Sequence, residues 1–159
     1  MAVRTRLGIT IRAASAFILR QDKDGVKALL LKRQHSKLAG TWCQVSGLLK
    51  RGEKAWQACL REIREETGIV PDRLYSADIC EQFYNVCKER IEVVPMFVAF
   101  IDSPRTVVLD HEHNDYRWLS IPEALNLLPF PGQREMLRRI EEQFLQRPPS
   151  ELLRIPPQA

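Results

Sequence analysis

One predicted helix, residues 54–67, constrains the fold more than any other part of the sequence. Gly68 and Pro71 follow it, and both residue types end helices. At about 100° per residue its apolar positions fall on one stripe, which suits packing against a sheet. The stripe consists of Trp56, Leu60 and Ile63, with Thr67 at its C-terminal end. The rest of the chain must therefore supply a surface that covers this stripe.

The surrounding sequence alternates irregularly between strand and helix patterns. Asp24-Gly25 is a strong hairpin signal between the first two strands, and Ser120–Glu123 has the pattern of a capping box that starts a helix. We expect strands at 9–20, 26–33, about 77–87, about 91–101 and 116–119, mostly loop at 34–52, and a last helix at 132–146. The pattern predicts an α/β fold with a mixed sheet and helices on its faces.

The length of 159 residues corresponds to one domain. We place this domain at residues 1–147. The segment 148–159 is rich in proline, and we expect it to be disordered or draped over the surface.

Composition excludes several classes of protein. The longest apolar run, Val93–Ile101, has nine residues and is too short to span a membrane. A net charge of +4 is compatible with phosphate-bearing substrates, but it is not diagnostic of nucleic-acid binding. The arginine-rich start resembles a transit peptide, yet residues 9–13 alternate with strand period. We therefore expect a cytoplasmic protein.

The cysteine residues form no C-x-x-C pair, so they give no sign of a redox or zinc motif. They are Cys43, Cys59, Cys80 and Cys87. We expect reduced and mostly buried thiols rather than disulfides.

Three glutamates, Glu62, Glu65 and Glu66, lie beside the apolar stripe of the predicted helix. Placed on a helix they fall within about 100° of one another, and such like charges repel. Hard cations such as Mg²⁺ prefer carboxylate oxygens together with substrate phosphates. A solvated face neutralised by neighbouring arginines is the alternative interpretation of the same three residues.

The segment from Gly47 to Ile69 favours the metal-binding interpretation. It resembles the Nudix hydrolase signature G-x5-E-x7-R-E-U-x-E-E-x-G-U at all nine specified positions. These positions are Gly47, Glu53, Arg61, Glu62, Ile63, Glu65, Glu66, Gly68 and Ile69.

The resemblance implies an α/β/α sandwich in which the signature forms a loop, a helix and a loop. It implies that Glu62, Glu65 and Glu66 bind the metal, that the Gly47 carbonyl contributes, and that Glu65 and Glu66 take part in catalysis. The cofactor would be Mg²⁺, with Mn²⁺ as an alternative. Glu53 and Arg61 would form an ion pair that orients the catalytic helix.

The similarity continues on both sides of this segment. Lys32-Arg33 resembles a basic pair that contacts phosphates in this family, although an edge-strand charge is an equal alternative. Trp42 is similar to an aromatic residue that commonly precedes the signature. A tyrosine near the position of Tyr84 is associated with dinucleoside polyphosphate hydrolases. We expect these four residues to bind substrate.

A further carboxylate comes from the run Glu112–Trp118, which resembles an E-H-x-x-Y-K-W pattern of the dATP and dihydroneopterin triphosphate subgroup. We predict that Glu112 is a metal ligand or the general base. A polar turn before a strand is the alternative, and His113 is a weaker candidate ligand.

The resemblance implies metal-dependent hydrolysis of a nucleoside or pterin triphosphate to a monophosphate and pyrophosphate. One alternative is a dinucleoside polyphosphate or RNA 5′-end pyrophosphohydrolase. Another is a nucleotide sensor without turnover. We expect a small-molecule partner, no stable nucleic-acid partner and no membrane contact; a homodimer is compatible with the sequence.

Overall fold

The computed structural model describes residues 7–156, and in these residues an eight-stranded mixed sheet carries helices on both faces. The strands are β1 Gly8–Thr10, β2 Ala13–Asp22, β3 Gly25–Arg33, β4 Trp42–Cys43, β5 Val45–Leu48, β6 Arg73–Asn85, β7 Arg90–Ile101 and β8 His113–Ser120. The helices are α1 Ala55–Thr67, α2 Ile121–Leu127 and α3 Pro131–Ile140, followed by a π-helical turn at Glu141–Leu145 and a 3₁₀ turn at Glu151–Leu153.

Strand β2 lies at the centre of the sheet. It pairs parallel with β7 and antiparallel with β3 and β5. Its side chains alternate between the faces, so Ala16 and Ile18 pack under α1 whereas Phe17 and Leu19 pack under α2 and α3. The predicted α/β architecture, with the glutamate-bearing helix and a C-terminal helix on the faces of a mixed sheet, is confirmed.

The strand boundaries differ from the predictions in four places. The strand predicted at 9–20 is interrupted at residues 11–12, and the segment 34–52 contains β4 and β5. Strand β6 begins at Arg73 and contains an irregularity between Ser76 and Cys80; β8 begins at His113. Strands of two to four residues are too short for alternation to be visible, and their pairing partners are distant in the chain.

The segment after Arg147 lies against β6. The Ile155 N–H donates to the Leu74 carbonyl at 2.9 Å, and the Tyr75 hydroxyl donates to Glu151 at 3.0 Å. Two states were expected for this segment, disordered or draped over the surface. Up to Pro156 it is draped over the surface of the domain.

The prediction of mostly buried cysteines is wrong for two of the four. Cys43 and Cys59 are buried, whereas Cys80 and Cys87 are exposed, and all four are free thiols. Cys87 lies in the turn between β6 and β7 rather than in a strand. Among residues 7–156, no helix is long and apolar enough to cross a membrane.

Candidate active site

The C-terminal half of α1 is fixed to the sheet and to the loop between β7 and β8. Ile63 is fully buried, and Thr67 accepts the Val108 N–H on its carbonyl at 2.8 Å. The helix ends at Gly68, whose φ of 69° is left-handed and whose N–H donates to the Arg64 carbonyl. Glu62 and Glu66 lie one turn apart on this anchored part of the helix.

Gly47 in β5 lies directly beneath the Glu62 side chain. A Cβ atom built on Gly47 would overlap the Glu62 carboxyl group. Only glycine therefore allows this carboxylate to approach the strand so closely. Gly47 and Glu62 are the first glycine and the first helical glutamate of the 47–69 segment, and the fold places them in contact.

Arg61 connects the loop before α1 to the helix itself. Its Nε and Nη2 atoms donate to the two oxygens of Glu53 at 2.8 and 2.9 Å. Its Nη1 atom donates to Glu62 and to Glu65. Hydrogen bonds from Arg61 and from the Lys50 N–H lower the pKa of Glu53 to about 2. The predicted Glu53–Arg61 ion pair is present.

A cavity of about 430 Å³ opens beside these groups. It is lined by Ala13, Arg33, Ser46, Gly47, Leu48, Glu62, Glu66 and Glu112. Glu66 is only 4% exposed, and its Oε2 atom has no hydrogen-bond partner. Burial, followed by the charges of Glu62, Asp110 and Glu112, raises the pKa of Glu66 to about 9, while Arg33 opposes this shift.

The loop that carries Glu112 is held in place by Asp110. Asp110 Oδ1 accepts the Glu112 N–H at 3.0 Å and lies 2.9 Å from His113 Nδ1. The Glu112 carbonyl accepts the Gln34 N–H at 2.8 Å. The loop thereby places a carboxylate from residue 112 in the same cavity as Gly47 and Glu66.

The donor set of this cavity fits a hard divalent cation. Glu62, Glu66, Glu112 and the Gly47 carbonyl offer only oxygen atoms, and Glu66 Oε2 is buried without a partner. Across residues 7–156, no three Asp, Glu, His or Cys side chains are already grouped as a metal site. Glu62 is instead bonded to Arg61. A cation at this cavity would therefore compete with Arg61 for the Oε1 atom of Glu62.

Several predicted site residues lie outside this cavity. Glu65 is half exposed, pairs with Arg61, and lies 3.7 Å from Lys50 Nζ on another side of α1. Tyr84 is 44% exposed near the end of β6. Their predicted roles in metal binding, catalysis and substrate binding stay predictions.

The sheet separates the basic pair. Arg33 lines the cavity, whereas Lys32 points to the face of α2 and α3, with its Nζ 5.9 Å from the Trp42 ring. Trp42 is buried on that face, and the guanidinium of Arg117 lies 4.9 Å from its ring. Consecutive strand residues point to opposite faces, so a basic pair in a strand supplies one cation to each.

Asp110 is the residue that the sequence analysis missed. The spacing Asp110-x-Glu112 is typical of an aspartate that accepts a backbone N–H two residues later, and this was its only local signal. Its contact with the buried His113 depends on the tertiary structure.

Comparison with known proteins agrees with this geometry. The NUDIX domain family model matches residues 10–140. The bis(5′-nucleosyl)-tetraphosphatase [asymmetrical] of Caenorhabditis elegans is 28% identical over 132 residues, covering 82% of this chain and 94% of that protein.

Solved structures of two other proteins are similar to this chain in fold. A C. elegans Ap4A hydrolase binary complex has a TM-score of 0.73 at 26% identity, covering 84% of this chain and 96% of that one. The E. coli dihydroneopterin triphosphate pyrophosphohydrolase has a TM-score of 0.70 at 22% identity, covering 86% and 96%, and shows the fold alone. The signature, the fold and the family match together establish that this chain belongs to the Nudix hydrolase family.

Proposed function

We propose that this protein is a metal-dependent hydrolase of dinucleoside polyphosphates, which was the alternative in the sequence analysis. The observation that carries the proposal is the similarity to the C. elegans asymmetrical bis(5′-nucleosyl)-tetraphosphatase over most of both chains. The structural similarity to an Ap4A hydrolase at 26% identity supports the same substrate class. Asymmetric cleavage of a tetraphosphate bridge would give a nucleoside triphosphate and a monophosphate.

The chemistry of the cavity supports a reaction at a phosphate bridge. Glu62, Glu66, Glu112 and the Gly47 carbonyl would hold Mg²⁺, with Mn²⁺ as an alternative. The metal would neutralise charge on the phosphate oxygens and favour ionisation of a bound water. Arg33, on the cavity wall, would contact a phosphate of the substrate.

Two carboxylates of this site are candidates for the general base. Glu66 is buried with a raised pKa, which suits proton acceptance once a cation offsets its neighbours. Glu112 lies on a loop, where small movements bring its carboxylate to a water. The Arg61–Glu53 pair would hold the orientation of α1 without touching the reacting atoms.

A nucleoside or pterin triphosphate is the second candidate substrate. The run Glu112–Trp118 favours it, because this run resembles the dATP and dihydroneopterin triphosphate subgroup. A small nucleotide partner, cytoplasmic localisation and the compatibility with a homodimer stay predictions from the sequence.

One panel of initial rates tests these alternatives. Diadenosine tetraphosphate, dATP, dihydroneopterin triphosphate, capped RNA and ADP-ribose would each be assayed with Mg²⁺, with Mn²⁺ and in excess chelator, and the products identified. We expect diadenosine tetraphosphate to have the highest kcat/KM, with ATP and AMP as products. A higher kcat/KM for dATP or dihydroneopterin triphosphate would contradict the proposal. Tight binding of a nucleotide without turnover would favour the alternative of a nucleotide sensor.

A further inference from the structure

A second cavity, of about 930 Å³, lies on another side of α1. The helix lines it with Arg61 and Arg64 among others, whereas Glu62 and Glu66 line the carboxylate cavity described above. Its other walls are the loop after the helix, the start of β6 and the segment 154–156. The volume is within the range of sites that bind small molecules.

Four arginines and two acidic residues line this second cavity, which gives it an excess of two positive charges. We call it the arginine groove, and its charged residues are Arg61, Arg64, Arg73, Arg154, Glu65 and Asp72. Both acidic residues are already engaged. Glu65 accepts from Arg61 at 2.9 Å, and Asp72 accepts from Arg105 at 2.7 Å. The charge of the groove therefore favours an anionic ligand.

Two of these arginines have N–H donors available to such a ligand. Arg64 is exposed on α1 and makes no ion pair with a residue in the range 7–156. Arg154 is paired with Glu151 through Nη1 alone, at 3.2 Å. A guanidinium group forms paired hydrogen bonds with phosphate and also stacks on aromatic rings.

The groove is apolar between its arginines. Its aliphatic residues are Leu60, Ile69, Val70, Leu74 and Ile155. Val70 is 60% exposed, although valine is apolar. The Ile155 N–H donates to the Leu74 carbonyl at 2.9 Å, so the segment 154–156 is held in place as a wall. An aliphatic surface beside unpaired guanidinium groups suits a ligand with an apolar ring and a negative charge.

Arg61 connects the arginine groove to the carboxylate cavity. It lines the groove, and its Nη1 atom donates to Glu62, which lines the carboxylate cavity. A cation in that cavity would compete with Arg61 for Glu62. An anion in the groove would attract Arg61 and weaken its bond to Glu62, which favours the cation. Coupling of this kind is reciprocal between the two sites.

We propose that the arginine groove binds a phosphorylated aromatic compound of the nucleoside monophosphate type, and that this ligand strengthens cation binding in the carboxylate cavity. Arg64 and Arg154 would contact the phosphate, and the aliphatic residues would contact the ring. The coupling rests on the metal site of the proposed function, whereas the groove itself does not.

Binding of AMP to the metal-depleted protein, measured by calorimetry, tests the site without any turnover. We expect a Kd between about 10 μM and 1 mM. Adenosine and inorganic phosphate should each bind at least about 10-fold more weakly, because each lacks one half of the ligand. Arg64→Ala should weaken AMP binding by about 10-fold. Arg138→Ala is the matched control, since Arg138 is exposed on α3 and lies outside the groove.

A pair of valine substitutions tests the apolar part of the groove. Val70→Asp should weaken AMP binding by about 10-fold or more, because it places a negative charge beside the phosphate and interrupts the aliphatic surface. Val86→Asp is the matched control, because Val86 is 71% exposed in the turn between β6 and β7. Thermal unfolding of all variants checks that each is folded.

The coupling is measured as the affinity for Mn²⁺ with and without AMP. We expect AMP to tighten Mn²⁺ binding by about 5-fold in the wild type. Folded Arg64→Ala at the same AMP concentration should show little change, and it also controls for Mn²⁺ bound by AMP in solution.

Each alternative outcome has a defined meaning. Absence of AMP binding, or equal affinities in Arg64→Ala and Arg138→Ala, would overturn the site. A loss of AMP binding in Arg33→Ala but not in Arg64→Ala would place AMP in the carboxylate cavity and would also overturn it. AMP binding in the groove with unchanged Mn²⁺ affinity would overturn the coupling. A protein that binds AMP in the groove but hydrolyses no dinucleoside polyphosphate would contradict the proposed function alone.

Discussion

Replacing Glu66 with glutamine should have opposite effects on activity and on the stability of the metal-free protein. Glu66 is 4% exposed, and burial together with the charge of Glu62 raises its pKa to about 9. Between the ordinary pKa near 4.5 and this value, the folded state binds more protons than the unfolded state. The free energy of unfolding therefore decreases as pH rises through this window.

The structure sets an upper limit on this effect. At 1.36 kcal/mol per pH unit, the 2.5 units between pH 4.5 and pH 7 correspond to at most about 3 kcal/mol. Glutamine does not ionise, so the metal-free Glu66→Gln protein should be more stable than the wild type at pH 7 by up to this amount. For a domain of this size that is an increase in Tm of roughly 6–12 °C.

Thermal unfolding in excess chelator at pH 5, 6, 7 and 8 measures the effect. The wild-type Tm should fall relative to that of Glu66→Gln as pH rises. Glu65→Gln is the matched control, because Glu65 is half exposed and should change the pH dependence little. A Glu66→Gln protein that is less stable than the wild type at pH 8, or a constant difference in Tm across the series, would refute the reasoning.

The same substitution tests the role of Glu66 in the reaction. Turnover with Mg²⁺ should fall by about 10²–10⁴-fold, the cost of removing one electrostatic catalytic group. Wild-type turnover that persists in excess chelator would contradict the requirement for a metal.

Three further predictions concern the groups around the cavity. Arg61→Ala should reduce turnover by about 10–100-fold, less than Glu66→Gln; kinetics of the folded proteins in the reverse order would mean that Arg61 contacts the substrate. Glu112→Ala should lower turnover by about 10²-fold if Glu112 is the general base. If Glu112 is only a metal ligand, the defect should shrink as metal concentration rises, and a wild-type rate at limiting metal would remove it from the site. Asp110→Ala should reduce turnover by about 10-fold or more by releasing the Glu112 loop, whereas Asp110→Asn retains an acceptor for the Glu112 N–H and should be close to wild type. The rate of each Asp110 variant would be measured as a function of metal concentration. Equal defects in the two variants would argue against a positioning role for Asp110.

Local sequence determined the parts of the fold that depend on neighbours along the chain. Helix α1 was predictable because its apolar stripe and Gly68 act within a few residues of one another. The hairpin at Asp24-Gly25 and the capping box at Ser120 were predictable for the same reason. The fixed spacing of the 47–69 segment indicated the family, since it requires no knowledge of distant contacts.

The tertiary structure decided which of the predicted site residues meet. Glu66 lies in the cavity while Glu65 turns outward to Arg61 and Lys50, although the helical wheel places both within about 100° of Glu62. The position of Glu112 beside Glu66 depends on Asp110 and on the pairing of β3 with β8.

Strand pairing likewise decided what lies on each face of the sheet. Lys32 and Arg33 are neighbours in the sequence, but the pleat sends them to opposite faces, so only Arg33 lines the cavity. Glu81 likewise lies against Gly132, a residue 51 positions later in the sequence. Local patterns specify which elements form, whereas the burial and charge of a side chain are set by contacts between residues far apart in the chain.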